Sequence, residues 1–234
     1  MPSFGIKSAD SISIDTVLLN VLGYTCFTTS VYLQAFDATV RKQFKKQFDG
    51  NLPLLSGVDV VYSLHGLALV LVLLSQVTLG NKLWKFNNKR VSFKLSRITK
   101  FFYSAITVFL IYHIVTPTSE FKALEFALYL SYFKIAITFT KYLPQVMYNR
   151  KRKSMAGISK LQIFLDLLGG LFASAELLLK NKATLAEMML SNTTKIGIIV
   201  VTIIFDTVFL IQFRLYPEND DHLKNEKLEE GIND

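Results

Sequence analysis

The chain has 234 residues, of which 51% are hydrophobic and 13% aromatic, and it carries a net charge of +8. That is too apolar for an ordinary soluble domain of this size. The basic residues gather in short loops between long apolar runs, which argues against a nucleic-acid surface and for topology anchors that touch anionic lipid.

The first apolar run, Thr16 to Phe36, has no formal charge, nor do Val60 to Asn81 and Phe101 to Ser119. A helix of about 20 residues crosses the bilayer core, so each run can span it. Stretches 121–147, 158–180 and 195–216 are equally apolar with a few charges, which gives six expected spans, the first three covering 12–36, 58–80 and 99–116. The fold class expected is all-α and polytopic. No basic-then-apolar leader opens the chain, so the first span would be its own insertion signal.

Between the second and third spans Lys82 to Lys100 holds seven basic residues and no acid, and Arg150 to Lys153 follows the fourth span. Both loops fall on one side, which the positive-inside rule assigns to the cytosol together with both termini. The cluster Arg41, Lys42, Lys45 and Lys46 is the exception, placed outside and offset in part by Asp37 and Asp49. Thr116-Pro117-Thr118-Ser119 reads as an outer turn. Asn192-Thr193-Thr194 is a glycosylation sequon on the outer side, close to the last span. An acidic tail, 217–234, reads as disordered and cytosolic.

The chain repeats itself. Lys7-Ser8, Ile12-Ser13, Leu19, Leu22 and Gly23 recur as Lys153-Ser154, Ile158-Ser159, Leu165, Leu168 and Gly169. Aligning the copies pairs Asn20 with Asp166 and Asp59 with Asp206. Internal repeats of membrane-length helices are typical of secondary transporters, which bind substrate between the repeats. Residues 1–80 form a first, incomplete repeat, 81–120 a basic loop and linker helix, and 121–216 a second, three-helix repeat.

Asp166 lies inside an apolar helix, where an ionised carboxylate costs roughly 2.5–3.5 kcal/mol on insertion scales. It is expected to face the bundle interior, either to load and release a proton or to partner a lysine on a neighbouring helix. Asp206 follows the same logic, and Asp59, near an outer helix end, is either a third acid of this kind or a plain interfacial residue. Lys134 and Lys141 share one face of the fourth span. Lys134 is deep enough to counter a carboxylate or an anionic substrate group, and Lys141 is close enough to the cytosol to snorkel. Gln162, one turn before Asp166, is either its hydrogen-bonding neighbour or a helix-end polar residue. Pro144 should loosen the fourth span near its cytosolic end, and Gly169-Gly170 should let a neighbouring helix come close. No nucleophile triad, phosphate loop, metal spacing or cofactor motif appears, and the lone Cys26 rules out an internal disulfide.

The segment Lys141-Tyr142-Leu143-Pro144-Gln145-Val146-Met147-Tyr148-Asn149, then Lys153-Ser154 and Phe164-Leu165-Asp166-Leu167-Leu168-Gly169-Gly170, resembles the second PQ-loop of the cystinosin family. Ile204 to Gln212, Asp59 to His65, and Leu19-Asn20 with Gly23 resemble its other helices, in the style of the fungal branch. The resemblance implies a proton-coupled exporter of L-cystine, or a related amino acid, in the lysosomal, vacuolar or endosomal membrane. It implies two three-helix bundles around a linker helix. Asp166 would be the main proton-coupling carboxylate and Asp206 a second. Lys134, Lys141, Gln162, Asp166 and Asn20 would line the substrate path, and Pro144, Gln145 and Asn149 would form the gating PQ motif. Position 162 departs from the asparagine of the animal proteins, keeping the amide on a longer arm. The first PQ helix of the pattern is also missing, which leads to an expected incomplete first bundle. The other readings are a truncated inactive form and a non-transporting protein of sorting or signalling. A sugar-conducting relative needs no charged pair and so fits less well.

The topology is tested by single cysteines in a Cys26→Ser background. Cysteines at Asn88 and Lys151 should react with an impermeant maleimide only from the cytosolic side, and those at Gly50 and Ser191 only from the opposite side.

Overall fold

The computed structural model describes residues 14–85, 95–116, 119–153, 155, 158–180 and 192–216. Much of the basic loop, part of the Thr116–Ser119 turn, the residues that open each repeat before Ile14 and Ile158, and the tail lie outside them, apart from Lys153 and Met155. Among the described residues every regular element is a helix: α1 (Ile14–Phe36), α2 (Ala38–Gln47), α3 (Gly57–Thr78), a short π-helix (Gly80–Trp84), α4 (Arg97–Val115), α5 (Lys122–Arg152), α6 (Lys160–Lys180) and α7 (Thr193–Leu215). Six of them are long and apolar enough to cross a membrane, matching the six apolar runs.

The helix starts follow from local chemistry. At α3, Ser56 donates both its backbone N–H (2.8 Å) and its hydroxyl (3.0 Å) to Asp59 Oδ2, an acid placed in the first turn where orphan donors need acceptors. Ser96 Oγ accepts from Thr99 N at the start of α4, while Ser96 N donates to Asp15 Oδ1 at 2.8 Å. Asp37 Oδ1 accepts from Val40 N and so opens α2 immediately after α1 ends. This short helix was not expected from the sequence, because its apolar content is only two buried side chains, Val40 and Phe44. Beyond α3, the π-helix ends at Lys85 in a left-handed conformation (φ 53°).

Two compact units make up the chain. The first runs to Thr138 and takes in 180–197; the second holds Phe139–Leu179 and everything from Ile198. Helices α5 and α7 each contribute one end to either unit.

In the first unit α1 is the central element. Val17 packs with Ile14 and Val77 near the start of α1, Leu19 with Phe102 and Ile137, and Cys26 with Ile106 and Leu130. The connector span α4 is thereby a packed neighbour of α1, pinned further by Tyr103, whose hydroxyl donates to Leu18 O. A second thread through this unit is polar. Ser30 Oγ donates to Ala127 O at 2.5 Å and lies 2.5 Å from Ser131 Oγ, while Gln34 Nε2 donates to Ser30 Oγ (2.9 Å) and Thr194 Oγ1 (3.4 Å). Small hydroxyl residues let helices approach and satisfy one another where water is absent.

The basic cluster after α1 is carried by α2, with Arg41, Lys42, Lys45 and Lys46 exposed. Its apolar side is fully enclosed: Val40 and Phe44 pack against Leu124 and Ala127, and Gln43 Oε1 accepts from Leu124 N. Lys46 is ion-paired with Glu120. The sequon residue Asn192 is buried, and its Oδ1 accepts from Leu54 N at 2.8 Å.

The second unit packs the end of α5, α6 and most of α7 around Met155, Ile163, Phe205 and Phe209. Phe139 and Tyr142 meet the Phe205 ring at centroid distances of 5.3 Å each. Of the two adjacent glycines only Gly170 provides a close approach: a Cβ there would sit 3.2 Å from Ile203 Cγ1, whereas one at Gly169 would meet nothing within 4 Å.

Phe44 is completely buried, so Phe44→Ala should remove about 3–5 kcal/mol of stability. Denaturation of the purified protein in detergent, with exposed Lys42→Ala as the neutral comparison, measures it.

Candidate functional site

In the second unit three helices each supply one charged side chain to a shared cluster. Lys141 of α5 lies within electrostatic reach of both Asp166 on α6 and Asp206 on α7, and the two carboxylates are within reach of one another. In a water-poor setting such charges act at longer range and more strongly than in water. The two acids differ in surroundings. Asp206 is buried, and its Oδ2 has no hydrogen-bond partner among the described residues. Asp166 lies on the open side of α6, and Gln162, one turn earlier, is exposed with it. Within its own unit Asp166 occupies an accessible face. The sequence pattern reports depth along a helix but not which side of the bundle is closed. Lys141 Nζ also lies 4.6 Å from the Tyr142 ring centroid.

A second polar group joins α5 to α7 near the PQ motif. Gln145 Nε2 donates to Asn149 Oδ1 at 2.8 Å, Asn149 Nδ2 donates to Gln212 Oε1 at 3.1 Å, and Gln212 Nε2 donates to Val146 O at 2.8 Å. Pro144, just before this network, contributes no N–H to the helix ladder. Gln145 and Asn149 are one turn apart on the same face, and the buried Gln212 closes the chain from the neighbouring helix. Gln212 was not among the expected site residues. A lone amide in the last turn of the apolar last span was the available signal, since such groups seek a partner in lipid.

The remaining expected residues lie in the first unit. Lys134 is buried, and its Nζ lies 3.8 Å from the centroid of the Tyr24 ring. Asn20, half-buried, is one turn before Tyr24 on α1. Asp59 uses Oδ2 to cap α3 and Oδ1 to pair with Lys195 Nζ at 2.9 Å. Lys195 opens the last expected span, 195–216, and nothing in the spacing linked it to Asp59. The structure thus groups Lys141, Asp166 and Asp206 in one unit, and Lys134, Asn20 and Asp59 in the other.

Six membrane-length helices describe a multi-pass helical membrane protein, with a proline–glutamine motif tied to the last helix. Comparison agrees: residues 126–184 match the PQ loop repeat family. The chain is 29% identical to the cystine transporter of Saccharomyces cerevisiae over 94% of its length and 87% of that protein. It is 30% identical to bovine cystinosin over 90% of its length, which is 56% of the bovine protein, and 26% identical to a cystinosin homolog of Dictyostelium discoideum, covering 93% and 74%. Over most of its length the chain is thus similar to proteins of the cystinosin family, a yeast one among them.

If the amide network ties α5 to α7, Asn149→Ala and Gln212→Ala should be non-additive. A double-mutant cycle on thermal unfolding in detergent should give a coupling of about 0.5–3 kcal/mol.

Proposed function

We propose that this chain exports L-cystine, or a closely related amino acid, from the lumen of the lysosome or vacuole to the cytosol, driven by protons moving the same way. The names borne by the yeast and bovine relatives supply the substrate class. The observation that carries the mechanism is the grouping of Lys141 with Asp166 and Asp206. One cation beside two carboxylates leaves one uncompensated negative charge when both acids are ionised, and a single proton brings the cluster to neutrality. A net charge is expensive to hold at membrane depth, so the cluster is suited to take a proton on the acid side and give it up on the other.

Asp166 is the acid that exchanges. It is accessible within its unit, and an accessible carboxylate at this depth is tolerable where water reaches it. Asp206, buried behind it, sets the field that Asp166 and Lys141 feel. Asp59 holds the outer end of α3 to Lys195. In the first unit Lys134 and Asn20 are the groups offered to substrate, and in the second unit, taken separately, Lys141 and Gln162. Pro144 weakens the helix ladder beside the Gln145–Asn149 pair, so α5 can bend there while the amide network keeps register with α7. Both termini face the cytosol in this scheme, and no cofactor takes part.

Uptake of labelled cystine into vesicles that display the luminal face outward should rise on acidification. Asp166→Asn should lower that uptake by at least about tenfold, which corresponds to ~1.4 kcal/mol. Asp206→Asn should retain transport with an altered pH profile. Undiminished acid-stimulated uptake in D166N would refute the role given to Asp166, and a deletion strain complemented normally by D166N would favour a sorting or signalling role.

A further inference from the structure

The reading of Lys134 as a substrate-binding cation leaves open how one long, flexible side chain is held in place. Its ammonium lies 3.8 Å from the centroid of the Tyr24 ring, within cation–π range. Two glycines create the space for this pair. At Gly66 on α3 a Cβ would fall 2.4 Å from Tyr24 Cε1 and 2.9 Å from Cδ1, so the ring is seated where only glycine lets it lie. At Gly23 a Cβ would be 3.2 Å from Lys134 Cδ and 3.7 Å from its Nζ, so the alkyl arm runs across bare backbone of α1. Three elements, α1, α3 and α5, therefore combine to set one ammonium group, all inside the first unit.

We infer that Tyr24, seated by Gly66, is a positioning residue that fixes the Lys134 ammonium for the anionic end of the substrate. The inference rests on the substrate-binding role proposed for Lys134. The physical reason for an aromatic partner is charge. A ring holds the ammonium through its electron-rich face and brings no formal charge of its own. The ring covers one side of the ammonium, and the donors turned away from the ring are set in direction. Asn20, one turn before Tyr24 on the same helix, falls on the same face.

The experiment compares KM and kcat for cystine in reconstituted vesicles. Tyr24→Leu should raise KM by roughly threefold to thirtyfold, the range a desolvated cation–π contact supports, with kcat changed by less than about twofold. Tyr24→Phe, which keeps the ring, should restore the native KM. Gly66→Ala displaces the ring without touching Lys134, so it should raise KM as Tyr24→Leu does, and the double variant should be no worse than either single one. If Leu or Ala variants fail to fold, fluorinated phenylalanines at position 24 weaken the ring face at nearly constant size, and KM should climb with each added fluorine.

A flat KM across the fluorine series, or a Tyr24→Phe variant as impaired as Tyr24→Leu, would overturn the inference. Lys134→Gln separates it from the reading beneath it. A raised KM in K134Q with a flat fluorine series removes only the role of Tyr24. An unchanged KM in K134Q removes the substrate role of Lys134, and this inference with it.

Discussion

A hydrogen-bonding group or charge placed in hydrocarbon without a partner costs several kcal/mol, and that constraint organises the whole molecule. It explains why the long segments are helices, which close their own backbone bonds. It also explains why several polar side chains in the spans are engaged by a neighbouring helix: Ser30 with Ser131 and Ala127 O, Gln34 with Thr194, Asn149 with Gln212, Lys134 with the Tyr24 ring. In lipid, apolar contact between helices adds little that lipid tails do not already provide, so these polar links and the close approaches at Gly66 and Gly170 specify which faces meet.

The same constraint separates structural polar groups from working ones. The serine and amide networks are neutral, and their donors and acceptors match each other. The cluster of Lys141, Asp166 and Asp206 cannot be satisfied in that way, because its charges do not sum to zero when both acids are ionised. Asp59 stands between the two cases, with one oxygen in a helix cap and the other in an ion pair with Lys195.

Much of this was legible from residue order. The six apolar runs coincide with the six long helices to within a few residues at most ends, because hydrophobic length is a one-dimensional property. The suspicion attached to Asp166, Asp206 and Lys134 also needed only their depth in apolar segments. Helix α2 was missed, since its two buried side chains acquire meaning only from Leu124 and Ala127, far along the chain. The pairing of Asp59 with Lys195, and the closure of the PQ motif by Gln212, join residues separated by most of the second half of the protein or more.

What the residue order determined by itself was membrane spanning, the approximate helix bounds and the depth of each ionisable side chain. All of these depend on local composition and periodicity. Only the tertiary structure decided which groups meet. It assigned Lys141, rather than Lys134, as the lysine that shares its unit with both acids, although the two lie one heptad apart on a single helix. It also gave Lys134 an aromatic partner, and left Asp166 open where Asp206 is enclosed. The physical reason is that depth is set along one helix, whereas partnership and access are set by the faces of at least two others.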